Sequence, residues 1–172
     1  MHIHVCPLAA VDDLVAAHDP SHLLTLLGPE GMIAERPGLA AGRHLRIAVN
    51  DVTEPGEGMV LADAGHIGEI IGFATSWDRS RPMVIHCWAG ISRSTAAAFI
   101  ALSALNPDVP EPTLARRLRE AAPFAKPNLL LVALADEAMG RGGRMRGAIE
   151  ALPETDFVSI GRPFRLAAVQ AP

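Results

Sequence analysis

Apolar positions along the chain fall into short blocks separated by Gly, Pro, Asn and Asp, and their spacing switches between the two periods of regular structure. His2–Cys6 reads as a short strand ended by Pro7, and residues from about Leu8 to Ala17 suit one short helix, with His18-Asp19-Pro20-Ser21 as the break. His22–Leu27 is an apolar run of the length of a buried strand, closed by Gly28-Pro29. Gly31–Gly42 has little periodicity and reads as loop with at most one helical turn, whereas Leu45–Val49 alternates as a strand does. Between about Ala64 and Trp77, the residues Ile67, Ile70, Ile71, Ala74 and Trp77 fall on one helical face, with Asp63 at the position of a cap. Pro82–His86 is a compact apolar strand. The segment opening with Ser94 and running through Ala96, Ala97, Ala98, Phe99 and Ile100 predicts a buried, alanine-rich helix that Asn106-Pro107 closes. Two more helices are expected at Glu111–Ala121 and Asn128–Met139, the second stopped by Gly140. Beyond Gly143 the pattern supports one short helix and an extended tail, peripheral from about residue 144 to 172.

Strands alternating with helices imply a layered α/β domain with a mostly parallel central sheet flanked by helices. At 172 residues, with no internal repeat or linker, residues 1–172 are expected to form a single domain. About half the chain is apolar (49%), enough for a core without disulfides or metals. The net charge of −4 argues against a general nucleic-acid binder or an anionic-membrane binder, which need a basic surface field, but not against a small anionic ligand held by local donors. Two cysteines, Cys6 and Cys87, make no disulfide framework, and no residues have metal-ligand spacing, so neither metal nor cofactor is expected. The N-terminus lacks the basic flank and apolar stretch of a secretory signal, and the longest apolar run, Leu129–Ala135, is far short of a membrane span. A reducing, cytoplasmic setting is the expectation.

The chemistry concentrates in Val84–Thr95. A strand ends at His86, six residues make a tight loop (Cys87, Trp88, Ala89, Gly90, Ile91 and Ser92), and a helix begins at Arg93-Ser94. Amide groups at a helix start are unpaired and carry partial positive charge, so such a loop can encircle an anion. Gly90 supplies the backbone freedom to close it, and the planar fork of Arg93 can hold two phosphate oxygens. The same field acts on Cys87: a free thiol titrates near about 8.5, but beside cations and helix starts the value falls to roughly 3.5–7.5, giving a thiolate nucleophile at neutral pH. Ser94 is placed to donate to the sulfur, and His86 to hold the loop backbone.

This string resembles the signature of the protein tyrosine phosphatase superfamily, with His86, Cys87, Gly90, Arg93 and Ser94 at its defining positions. The resemblance implies hydrolysis of phosphomonoesters through a phospho-cysteine intermediate, on phosphorylated proteins or small phosphomonoesters. The leaving oxygen needs a proton. Ala48–Glu54, at the end of a strand, looks like the acid loop of dual-specificity phosphatases and implies Asp51 as the general acid, with Asp63, Glu54 and Glu57 as substitutes. The tryptophan-proline-aspartate acid loop of the larger tyrosine-specific members is absent, as are the phosphate-loop lysines typical of lipid-directed relatives.

Other residues carry less. Trp88 either faces a substrate ring or packs on the loop, Cys6 is either a core thiol or an oxidative partner of Cys87, and His2 and His4 alternate along a strand. The arginines at 116, 117 and 119, and those at 141, 144 and 146, read as solvated faces or a docking surface for an acidic partner. Two competing functions remain at this stage: a non-catalytic module that binds phosphorylated ligands, and thiol-based anion redox chemistry such as arsenate reduction.

Overall fold

The most apolar blocks of the sequence become the middle of one sheet. A computed structural model describes residues 1–168, and its five strands are β1 (His2–Pro7), β2 (His22–Leu27), β3 (His44–Ala48), β4 (Met83–Cys87) and β5 (Phe164–Ala167). Their order is β3-β2-β4-β1-β5. The first four run parallel, and β5 joins β1 antiparallel at one edge. Every residue of β2 and β4 is buried, which explains their continuous rather than alternating hydropathy. The α/β expectation holds, with strand and helix bounds within a few residues of those read from sequence; Cys87 is the last residue of β4 rather than the first of the loop.

Helices cover the two faces unequally. Among the described residues only α1 (Val11–His18) lies on one face, packed with Cys6, Leu23 and Val84. The other face carries α2 (Ala64–Ser76), α3 (Arg93–Leu105), α4 (Glu111–Ala121), α5 (Leu129–Ala138) and α6 (Arg144–Glu150). Helix α3 is central, buried continuously from Arg93 to Ser103. Its alanines let it touch α2, α4, α5 and the sheet at once, because a helix without bulky side chains permits close approach on every side. Asp63 caps α2 as expected, accepting from the His66 amide at 3.0 Å.

The C-terminal segment requires a correction. Read as a peripheral tail, it contributes to the core: Met145 of α6 is fully buried, and Leu166 and Ala168 pack into the main cluster. Strand β5 pairs with β1 from His2↔Ala167 to Val5↔Phe164 and covers what would otherwise be an open sheet edge. The residues after 168 lie outside those described. Helix α6 starts at Gly143 without a capping side chain of its own. Buried Asp136 from α5 does that work, accepting from the amides of Gly143 (2.5 Å), Met145 (2.6 Å) and Arg146 (3.2 Å). Removing it orphans three buried or partly buried donors. Asp136→Ala is therefore expected to lower stability by about 2–3 kcal/mol in urea unfolding, and an unchanged midpoint would contradict this account of α6.

Candidate active site

Strand β4 sits at the centre of the sheet, so its C-terminal end opens where helix starts and loops converge. Cys87 ends it, only 1% exposed. Its sulfur has two donors in reach, Ser94 Oγ at 3.1 Å and the Gly90 amide at 3.2 Å. Gly90 adopts φ +71°, and a side chain there would meet the Pro7 nitrogen at 2.6 Å, so both conformation and space require glycine.

The loop is held from outside by its carbonyls. Trp88 O accepts from the Leu8 amide (3.1 Å), Ala89 O from Gly161 (2.8 Å), Ile91 O from Lys126 (3.0 Å) and Ser92 O from Asn128 (3.3 Å). In a planar trans peptide the C=O and the next N–H point opposite ways, so carbonyls tied outward turn the amides inward. Ser92 stands at the N-cap of α3 but its hydroxyl does not cap the helix; it donates to Asp51 Oδ1 at 2.7 Å. The first-turn amides of α3 are thereby free of a side-chain cap.

Arg93, buried at 8% exposure, is tethered by Nη1 to the Val49 carbonyl (2.8 Å). Its Nε is buried without a hydrogen-bond partner and lies 3.8 Å from Asp51 Oδ2. The edge bearing Nε and Nη2 is thus the one available to a tetrahedral anion. Asp51 is fixed from two sides, by Ser92 and by Asn128 Nδ2 (2.9 Å). Beside it opens a cavity of about 560 Å³ between Val52–Glu54 and Lys126–Leu129. From sequence Asn128 reads only as a helix cap. It is one, accepting from the Leu130 and Leu131 amides at 3.1 Å, but its amide group also holds Asp51, a contact 77 residues apart that no local pattern signals.

His86 is fully buried behind the loop. The Arg36 amide donates to His44 Nδ1 (3.0 Å), which leaves His44 Nε2 as the donor to Thr25 Oγ1 (2.9 Å). The threonine proton then goes to His86 Nε2 (2.6 Å), placing the His86 proton on Nδ1. That Nδ1 has no partner in hydrogen-bonding geometry; the Cys87 main chain is the neighbour that favours its proton, while burial, the larger effect, lowers the ring's pKa to about 4. Neither Thr25 nor His44 stands out in the sequence.

The remaining candidates separate. Trp88, next to Cys87 in the chain, is 63% exposed. In the β1–β4 register Cys6 aligns with His86 and Pro7 with Cys87, which puts the two cysteines on opposite faces of the sheet. Cys6 is a core thiol, pushed up to about 12 by burial and, secondarily, by Cys87. Asp63 is occupied as a cap, while Glu54 and Glu57 are exposed on the loop. Arg141 and Arg144 pair with buried Glu111, and exposed Arg146 pairs with exposed Glu150 one turn on. Among the described residues no His, Cys, Asp and Glu group could hold a metal, and no helix is long and apolar enough to cross a membrane.

No protein-family model matches the sequence, and no curated protein is significantly similar to it. Solved structures are. The human tyrosine phosphatase-like serine/threonine/tyrosine-interacting protein superposes with TM-score 0.62 at 15% identity, covering 81% of this chain and 91% of that one. DUSP15 gives 0.55 at 20% identity, covering 89% and 94%. The Yvh1 phosphatase domain of Chaetomium thermophilum gives 0.56 at 21%, covering 83% and 93%. The fold is therefore that of the protein tyrosine phosphatases, with neighbours drawn from the dual-specificity branch, as the signature suggested.

Four histidines, His4, His22, His44 and His86, are each lowered by burial to about 4. Folded values below the ordinary 6.5 mean that the unfolded chain binds more protons in this window. Their contribution to stability is full above pH 6.5 and is lost as pH falls toward 4. Urea midpoints should drop steadily from pH 7 to pH 4, with net proton uptake on unfolding near pH 5; a level profile there would contradict the burial of these rings.

Proposed function

We propose that the chain hydrolyses phosphomonoesters, on phosphotyrosine or mixed phosphoresidues of proteins, through a phospho-cysteine intermediate. One observation carries this reading: the Cys87 sulfur lies within 3.1–3.2 Å of two donors, inside a loop whose amides face inward and whose rim carries Arg93. Donors at that range favour the thiolate, and the same inward amides favour a bound dianion.

The Cys87 thiolate attacks phosphorus and the P–O bond to the leaving group breaks, its electron pair going to oxygen. Asp51 gives that oxygen its proton. A phosphate set against Arg93 stands beside the Asp51 carboxyl, whose Oδ2 is 3.8 Å from the guanidinium Nε. Water then attacks the phospho-cysteine, Asp51 takes the water proton, and the S–P electron pair returns to sulfur, eased by the Ser94 hydroxyl. The amides of Trp88, Ala89, Gly90, Ile91 and Ser92, with Arg93, hold the non-transferring oxygens as charge moves among them. His86 keeps the loop in place from behind. The exposed Trp88 ring offers an aromatic phosphoester a face at the mouth. No step calls for a metal or cofactor. A redox role resolved by Cys6 finds no support, since that thiol lies across the sheet.

Cys87→Ser should abolish turnover of an aryl phosphate while phosphate or vanadate still binds. A purely ligand-binding module would instead show no wild-type turnover at all. Asp51→Asn should slow alkyl phosphates by about 100-fold or more and activated aryl phosphates far less, since general acid catalysis contributes roughly that factor when the leaving group is poor. Equal slowing of both would remove Asp51 from the acid role.

A further inference from the structure

One main-chain contact to the catalytic loop comes from a part of the chain that the mechanism does not use. Gly161 lies between α6 and β5, is buried, and donates its amide to Ala89 O at 2.8 Å. The Ala89 carbonyl and the Gly90 amide belong to one peptide unit, and no cis peptide bond occurs among the described residues. Fixing that carbonyl outward therefore fixes the Gly90 N–H inward, where it donates to Cys87 Sγ at 3.2 Å. We infer that Gly161 is a positioning residue for the nucleophile: it holds the Ala89–Gly90 peptide in the orientation that aims an amide at the sulfur.

The local structure leaves only glycine at this point. A Cβ on residue 161 would lie 2.5 Å from Phe124 Cε2 and 3.0 Å from the Gly90 carbonyl oxygen. Relief by shifting residue 161 is opposed on its far side, because β5 begins three residues later and is locked to β1 by its register. The neighbouring wall is firm as well, with the Phe124 ring set edge-on to Phe164 of β5 at 6.1 Å. A side chain at 161 must therefore pull the amide from Ala89 O or push on Gly90. Either outcome frees the Ala89–Gly90 peptide to turn, and a turned peptide presents a carbonyl oxygen to the sulfur and the anion. Two favourable interactions then become one repulsive one. The other outward clamps act on different peptides, those following Trp88, Ile91 and Ser92, so none of them substitutes for Gly161.

This inference rests on the phosphatase reading of the same loop, and one experiment separates their failures. The rate of Cys87 alkylation by iodoacetamide at about pH 7 is measured in full-length wild type, Gly161→Ala, Phe124→Leu and the double variant, together with protection by inorganic phosphate. Wild type should be alkylated faster than free cysteine, and phosphate should protect it. Wild-type alkylation no faster than that of free cysteine and unprotected by phosphate would overturn the phosphatase reading and this inference with it. Gly161→Ala should slow alkylation and weaken phosphate protection by about 10-fold, the size expected for losing one charge-directed hydrogen bond. The double variant, with a shorter side chain at 124, should recover part of both. A folded Gly161→Ala protein with wild-type alkylation rate and phosphate protection would overturn the role of Gly161 alone. Should that variant fail to fold, hydrogen exchange on wild type decides: saturating phosphate should slow exchange at the Gly161 amide along with those of residues 89–93. Slowing confined to residues 89–93 would equally overturn it.

Discussion

The site depends on where five carbonyl groups point. A loop that is to surround an anion must turn its amides inward, and each peptide that does so must place its oxygen somewhere else. Here the oxygens of Trp88, Ala89, Ile91 and Ser92 are each met by a main-chain donor from outside the loop. Among the described residues only the Gly90 oxygen is left without such a main-chain clamp, and Gly90 is the residue whose positive φ turns the chain. The donors come from the ends of β1, the α4–α5 connection and the segment before β5, so the loop is shaped by elements that reach it from three directions. The energy of this preorganisation is supplied during folding, before any ligand arrives.

The rest of the fold can be understood as support for those clamps. Burying β4 between β1 and β2 brings Leu8 beside Trp88, because the two strands run parallel and end together. The alanine-rich surface of α3 lets α5 pack close enough for Asn128 to serve three partners: the α5 amides it caps, the Ser92 carbonyl, and the Asp51 carboxylate. Asp51 and Arg93 are in turn joined through β3, whose last residues bring the Val49 carbonyl to the guanidinium. Cys87, Arg93 and Asp51 are thus held relative to one another by the Val49 carbonyl and by the side chains of Ser92, Ser94 and Asn128.

What the sequence reveals of this is what is local. Cys87, Gly90, Arg93 and Ser94 lie within one short string, and the 3.6-residue period of Glu111–Ala121 marks α4 to the residue. The second function of Asn128 is hidden because its partner Asp51 lies far back in the chain, and the buried histidines look like any others until Thr25 is seen between two of them. Strand β5 escapes notice for a different reason. It has four residues, one of them Arg165, and follows Gly161-Arg162-Pro163, so no alternation is long enough to register. Its identity as a strand is set by the edge of β1 and not by its own composition.

The late position of that strand has a consequence for how the protein matures. A chain leaving the ribosome N-terminus first exposes β1 to β4 and the whole signature loop well before residue 161 emerges. Until then the Ala89 carbonyl lacks its donor and the ring of clamps around the loop is unfinished. The last of the four main-chain clamps therefore forms only after Gly161 has left the ribosome, however early strands β1 to β4 have been made.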